Sequence, residues 1–194
     1  MKKKESKITD QIRKEVKGLP DNYIILFVTD SEKYIETNMA ILKIFLNEKK
    51  YSGIYITVNR PYITLVEFLK KNQIKLDNIF FIDCITKTGG GRPEITEDCL
   101  YLTSPHNLTE LGIALTQAMD AMKGKPGKFL FLDSLSMMAI YNSFTTLAQF
   151  SHFLTTRIRL SKLKAGILIS LEKEVDEKLL LILKELCDKV VEVR

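Results

Sequence analysis

The chain contains no tryptophan, only three cysteines and no long hydrophobic run. Its uninterrupted apolar stretches, such as Leu179–Leu183, are much shorter than the roughly 20 residues that span a membrane as a helix. The basic N-terminal segment, MKKKESK, is followed by polar residues and not by the apolar core of a secretory signal. We therefore expect a cytoplasmic protein without a membrane span.

Disulfides and metal sites are not expected either. Cys84, Cys99 and Cys187 lie far apart in the sequence, and they lack the paired spacing of a zinc site. Reduced, buried thiols are the favoured interpretation, although Cys84 and Cys99 flank a glycine-rich loop across which they could meet. His106 has no cysteine, aspartate or second histidine at ligand spacing, and His152 falls on a predicted helix, where a structural role is expected.

Positive charge is concentrated at the N-terminus. Residues 1–17 hold seven lysine or arginine side chains and three acids, so they carry four of the chain's net five positive charges. Ile8, Ile12 and Val16 recur every four residues, which predicts a short helix closed by Gly18 and Pro20. We therefore divide the chain into a basic N-terminal helix or arm, residues 1–19, and a domain, residues 20–194. Such an arm can contact nucleic acid.

Buried strands and amphipathic helices alternate along the domain. Apolar runs predict strands at 23–29, 53–58, 78–85, 128–133, 165–171 and 190–193, with a short extended segment at 101–102. The apolar residues at helical spacing between them are Ile35, Met39, Leu42 and Phe45; Leu65, Val66 and Leu69; Leu108, Leu111, Leu115, Met119 and Met122; Leu147, Phe150, Leu154 and Ile158; and Leu179, Leu183 and Leu186. This alternation predicts an α/β fold with a doubly wound, mostly parallel sheet and helices on both faces.

The strand at 128–133 is central to this prediction. It carries four consecutive apolar residues and ends on Asp133 and Ser134. Ligands of doubly wound sheets bind at the carboxyl ends of the strands. In ATPases of the P-loop class an aspartate at this place holds the magnesium ion that bridges the nucleotide phosphates.

The order of the elements resembles the RecA-type ATPase core, and most closely its archaeal KaiC-like branch. Three stretches carry the likeness: GIYITVNRPYITLVEFLKKNQI at 53–74, NIFFIDCITKT at 78–88, and FLFLDSLSMMAIYNSFTTLAQFSHFLTTRIRLSKLKAGILISL at 129–171. The resemblance covers nearly the whole chain from Tyr23 onward. It implies a RecA-like three-layer sandwich, with Asp133 at the position of the magnesium-binding aspartate.

The catalytic parts that the resemblance implies are not found. After its first strand a KaiC-like ATPase has a loop ending Gly-Lys-Thr, whose amides cradle phosphate. The corresponding segment here, Val28–Thr37, contains no glycine. If Thr37 keeps the place of the magnesium-binding hydroxyl, Glu36 takes that of the lysine, and a carboxylate there would repel a triphosphate. The family's catalytic acid after the second strand is replaced by Val58–Pro61, which contains no acid.

Three hypotheses stay open. The first is a non-catalytic KaiC-like domain, a pseudo-ATPase without cofactors that acts as a self-associating or partner-binding regulatory module. In it Asp133 is a helix cap or a hydrogen-bonded strand end. The second is an unconventional protein that binds or hydrolyses ATP with magnesium, with candidate contacts at Thr29, Asp30, Ser31, Lys33, Thr37 and Asp133. The third is a DNA-associated accessory protein that uses the basic arm.

Other residues are weaker candidates. The loop Gly89–Arg92 could bind an anion, but it follows the third strand and is expected to be a flexible loop. Ser134 and Ser136 have no histidine placed to activate them. Arg157 and Arg159 resemble positions near subunit contacts in RecA-type assemblies, so we assign them to partner contacts.

Overall fold

The structure of the chain is a computed structural model. It describes residues 7–20, 22–125, 127–161, 163–171 and 177–193, with the backbone alone in 165–171. Within these residues the strands are β1 (Ile24–Asp30), β2 (Ser52–Thr57), β3 (Ile79–Asp83), β4 (Cys99–Tyr101), β5 (Lys128–Asp133), β6 (Lys164–Leu171) and β7 (Lys189–Val193). The helices are α1 (Lys7–Glu15), α2 (Tyr34–Leu42), α3 (Tyr62–Lys71), α4 (Leu108–Ala121), α5 (Leu135–Met138), α6 (Phe144–Ser161) and α7 (Glu177–Leu186).

The seven strands of the described residues form one parallel sheet in the order β4-β3-β2-β5-β6-β1-β7. This confirms the doubly wound α/β fold. Apolar runs without polar alternation produced this prediction correctly, because both faces of a parallel sheet are covered and most positions of the central strands are buried. One helix among the described residues is short and π-helical, at Lys43–Glu48, and continues α2. None of the described helices is long and apolar enough to cross a membrane.

The two faces of the sheet differ in composition. One face, here called the aliphatic face, carries mainly leucine and isoleucine side chains and packs against α4, α5, α6 and α7. The other, the aromatic face, carries Phe27, Tyr55, Phe81, Phe129 and Phe131 and packs against α1, α2 and α3. Side chains alternate between the two faces along a strand. Asp133, two positions after Phe131, therefore points to the aromatic face as well.

One predicted contact, that of Ile35 with the sheet, is wrong. The cysteines are free and buried as predicted, and the alternative in which Cys84 meets Cys99 is not observed. Ile35 does not face the sheet and is 45% exposed, because the inward side of α2 is set by Thr37 and Asn38. Ile35 lies two positions before Thr37, about 200° away around the helix. Cys84 packs on the aliphatic face and Cys99 on the aromatic face, so the two thiols do not meet. Both, like Cys187, are free and buried.

Helix α1 is part of the body. Its apolar side chains, Ile8, Ile12 and Val16, are buried in the aromatic-face core. Arg13 donates two hydrogen bonds to the Glu48 carboxylate, at 3.0 and 2.9 Å, which lowers the pKa of that carboxyl. The division into residues 1–19 and 20–194 stays a prediction, but the helical part of the arm has no apolar surface left for another partner.

We expect Ile12→Ala to lower the free energy of unfolding by about 2–5 kcal/mol, since truncation leaves a cavity in a packed core. Chemical denaturation followed by circular dichroism measures the loss. Lys14→Ala, at an exposed position of the same helix, is the control and should leave stability nearly unchanged. Equal stability of the two variants would mean that α1 is an independent arm.

Candidate functional site

The carboxyl end of β5 carries a buried cluster of hydrogen-bonded side chains. Asp133 is only 3% exposed. Its carboxyl group hydrogen bonds to the phenol hydroxyls of Tyr34 and Tyr55, one at each oxygen. Asn38 Nδ2 donates to the Tyr55 hydroxyl at 2.9 Å. Both oxygens of the carboxyl group are therefore engaged by this chain's own side chains.

Short-range geometry places Tyr34 over Asp133. The chain passes from the end of β1 into a single 3-10 turn, Ser31–Lys33, and then directly into α2, which begins at Tyr34. Strand β6 lies between β1 and β5, so the ends of these two strands are about 10 Å apart. The side chains of Tyr34, at the start of α2, and of Asp133, at the end of β5, together bridge that gap, and the Tyr34 hydroxyl contacts the Asp133 carboxyl group.

The tyrosines leave almost no free space. The remaining cavity is about 10 Å³ and is lined by Asn38, Tyr55, Arg60 and Asp133 among others. A cavity of this size holds one water molecule at most. The Arg60 side chain lies over the Phe68 ring, 4.6 Å from its centroid, at the edge of this cluster.

Burial raises the pKa of Asp133 to about 8. The cause is desolvation, which disfavours the charged form. The same effect raises the pKa of the Tyr55 phenol. Burial thus favours the neutral form of the carboxyl group, and a neutral carboxyl group is a poor ligand for magnesium, which requires the deprotonated form.

The other predicted nucleotide contacts do not converge on Asp133. Thr29 and Thr37 are buried and their hydroxyl oxygens lie 3.2 Å apart, so they satisfy each other. Asp30 and Ser31 are exposed. Lys33 Nζ lies 4.0 Å from the Asp30 carboxylate and forms a surface ion pair with it.

The turn after β2 is closed by its own hydrogen bonds. Thr57 Oγ1 donates to the Arg60 carbonyl oxygen at 2.7 Å, and Asn59 between them is exposed. Pro61 lies just before α3 as its capping residue.

A neighbouring acid, Asp83 at the end of β3, is fully buried and serves the backbone. Its carboxylate accepts hydrogen bonds from the amides of Tyr62, Ile85 and Thr86 at 2.6, 2.8 and 2.8 Å, and from the Thr86 hydroxyl at 2.5 Å. It thereby ties the start of α3 to the turn after β3. Sequence reasoning located an acid at this strand end but not its capping role.

Helix capping after β5 falls to Ser134 and not to Asp133. Ser134 Oγ accepts from the Met137 amide at 3.4 Å and lies 3.0 Å from Ser136 Oγ. The alternative prediction for Asp133, a hydrogen-bonded strand end, describes what the geometry shows. The peptide bond between Asp133 and Ser134 is cis.

The remaining candidates are spread over the surface. Arg159 pairs with the Asp188 carboxylate at 3.2 Å and donates to the Leu186 carbonyl oxygen at 3.0 Å. Arg157 donates to Thr116 Oγ1 at 3.0 Å. In the glycine loop, the Gly91 amide bonds to the Thr86 carbonyl oxygen at 2.9 Å, so that amide is already used within the loop. His106 Nδ1 lies 2.8 Å from the Tyr141 carbonyl oxygen.

No group of three or more histidine, cysteine, aspartate or glutamate side chains in the described ranges is arranged to hold a metal ion.

Sequence reasoning missed a groove on the aliphatic side of the molecule. It lies between α4 and α6, has a volume of about 610 Å³, and exposes Ile113 and Phe153. The signal for it was present: these two apolar residues lie outside the predicted inward stripes of their helices.

A family model described as a family of unknown function, DUF7504, matches residues 64–193. The chain belongs to this family. No curated protein sequence matches the chain.

Solved structures show the fold of this DUF7504 member independently. An uncharacterized protein of Pyrococcus horikoshii, PH0321, solved in complex with an unknown peptide, is similar with a TM-score of 0.72 and 13% identity, over 95% of this chain and 82% of that one. The KaiC-like protein PH0186 of Pyrococcus horikoshii OT3 has a TM-score of 0.61 and 14% identity, over 90% and 72% of the two chains.

The flagellar accessory protein FlaH of Methanocaldococcus jannaschii has a TM-score of 0.57 and 16% identity, over 95% of this chain and 76% of that one. The predicted likeness to archaeal KaiC-like proteins of the RecA superfamily is thereby confirmed at the level of the fold.

The buried carboxyl group predicts an unusual pH dependence of stability. The pKa of Asp133 is higher in the folded chain than in the unfolded one, so its contribution is complete at low pH and is lost between about pH 4 and pH 8. We expect the unfolding free energy of the wild type, relative to Asp133→Asn, to fall by on the order of 1 kcal/mol per pH unit in this window.

Urea unfolding of both proteins at several pH values measures this difference, and Asp133→Asn serves as the reference because it cannot ionise. A difference that increases with pH would show instead that Asp133 is stabilised as an anion.

Proposed function

We propose that this chain is a RecA-like domain that does not hydrolyse nucleotides and acts as a regulatory module through contacts with other proteins. The observation that carries the proposal is the engagement of the Asp133 carboxyl by Tyr34 and Tyr55. In a working ATPase of this fold the corresponding carboxylate faces magnesium and the nucleotide phosphates. In this chain both oxygens of that carboxyl group are already hydrogen-bonded to phenol hydroxyls, which supports the proposal.

The connection between β1 and α2 supports the same proposal. A phosphate-binding loop needs several successive backbone amides turned toward the anion, which glycines make accessible. The three-residue turn Ser31–Lys33 contains no glycine and offers too few residues for such a loop. Glu36, the residue before Thr37, is exposed and adds a negative charge near the site.

The magnitude of these losses is large. Removing one electrostatic contact to the transition state of phosphoryl transfer slows it by a factor of order a thousand. The segment Val28–Thr37 contains no glycine, and the turn after β2, Val58–Pro61, contains no acid. Two such losses outweigh any residual effect of the buried Asp133.

A role in protein contacts draws on two further observations. The similar structure of PH0321 was solved in complex with an unknown peptide. In this chain, large apolar side chains are exposed on α4 and α6, with Ile113 57% and Phe153 41% exposed. Exposed apolar side chains grouped on one surface are typical of protein interaction sites.

We expect no heat of binding when the protein is titrated with millimolar ATP and magnesium in a calorimeter, because the phosphate position is filled. Phosphate release should not exceed that of a protein-free blank, and an active RecA-type ATPase serves as the positive control. Magnesium-dependent phosphate release that Asp133→Asn abolishes would contradict the proposal.

A further inference from the structure

The groove between α4 and α6 is formed by side chains of both helices. The helices run in the same direction, with Gly112 beside Phe153 and Thr116 beside Arg157. A Cβ atom at Gly112 would lie only 3.3 Å from Phe153 Cε1, so the glycine lets the phenyl ring sit close to α4. Leu108, Ile113, Phe150 and the aliphatic parts of threonine and glutamine side chains complete the lining.

The lining of the groove is uncharged. None of its ten lining residues is charged, although charged residues make up 27% of the chain. Hydroxyl and amide groups, such as those of Thr109 and Gln149, supply the polar part of the lining. An occupant that placed a charged side chain inside would leave that charge desolvated and unpaired, which is costly.

One end of the groove is positively charged. Arg157 is half-buried there and donates to Thr116 Oγ1. Within the described parts of the chain it makes no ion pair. A half-buried guanidinium group without an ion pair is best complemented by a carboxylate, with which it forms charge-assisted hydrogen bonds.

The length of the groove fits a helix of a partner protein. From Thr146 to Arg157 the α6 wall is about 16 Å long, which corresponds to about three helical turns. Amphipathic helices bind such grooves through apolar side chains at i, i+3, i+4 and i+7.

We infer that the α4–α6 groove binds an amphipathic helix of a partner protein. The helix would place its apolar, uncharged face in the groove and an acidic side chain at the Arg157 end. This inference rests on the proposed function, in which the domain acts through contacts with other proteins. It adds which surface makes the contact and what chemistry the partner has.

The test uses stapled helical peptides of about 14 residues, labelled with a fluorophore. One peptide has leucines on a single face and a glutamate in its first and last turns. A second carries lysine at both of those positions. A third has the composition of the first but with its leucines spread around the helix.

We expect fluorescence anisotropy to show binding of the glutamate peptide, about tenfold weaker binding of the lysine peptide, and no binding of the third. Ile113→Glu, at an exposed position of the groove, should lower the affinity for the glutamate peptide at least tenfold. Leu181→Glu introduces the same change on α7, where Leu181 is 61% exposed, and should leave the affinity unchanged. Arg157→Gln should remove the preference for glutamate over lysine.

Several results would overturn the inference. These are absence of binding by every peptide, binding that Ile113→Glu leaves intact, and equal affinity for the first and third peptides. A dimer in light scattering that Ile113→Glu dissociates would show that a second copy of the chain covers the groove. ATP hydrolysis by the wild type would overturn the proposed function without changing the peptide result, so the two failures are distinguishable.

Discussion

The buried hydrogen bonds between Asp133 and two tyrosines are the constraint on which the site depends. A carboxyl group at the end of a central strand loses its hydration on folding, and it must be neutralised, paired or hydrogen-bonded. Tyr34 and Tyr55 supply those hydrogen bonds from two different elements, α2 and β2. They thereby fix the start of α2 over the sheet and enclose the Asp133 carboxyl group at the end of β5.

The rest of the fold supports this arrangement. The sheet is covered on both faces, and its strands are held by parallel pairing along the whole order from β4 to β7. Aromatic side chains dominate the face toward which Asp133 points, so Tyr55 packs against Phe81 and Phe131 while its hydroxyl stays at the polar edge. The hydrophobic framework on both faces of the sheet is therefore built from side chains of the chain itself.

Much of the fold could be predicted from sequence, because apolar runs and helical spacing report burial directly. The site could not, because it depends on distances that no local pattern encodes. The role of Tyr34 follows from the three-residue turn before α2 and from the two strand spacings between β1 and β5. The same helix start explains the error at Ile35. The separation of Cys84 from Cys99 follows from the alternation of β3 side chains and the pairing of Phe81 with Cys99, which only the register reveals.

We propose that side chains fill the nucleotide site of this domain and that the domain acts through its surfaces. This central claim is tested most directly by a crystal structure grown with magnesium, ADP and beryllium fluoride. The account predicts that the Tyr34 hydroxyl stays hydrogen-bonded to Asp133 and that no nucleotide occupies the end of β5. Tyr34 displaced into solvent, with phosphates beside Thr37 and magnesium on Asp133, would contradict it.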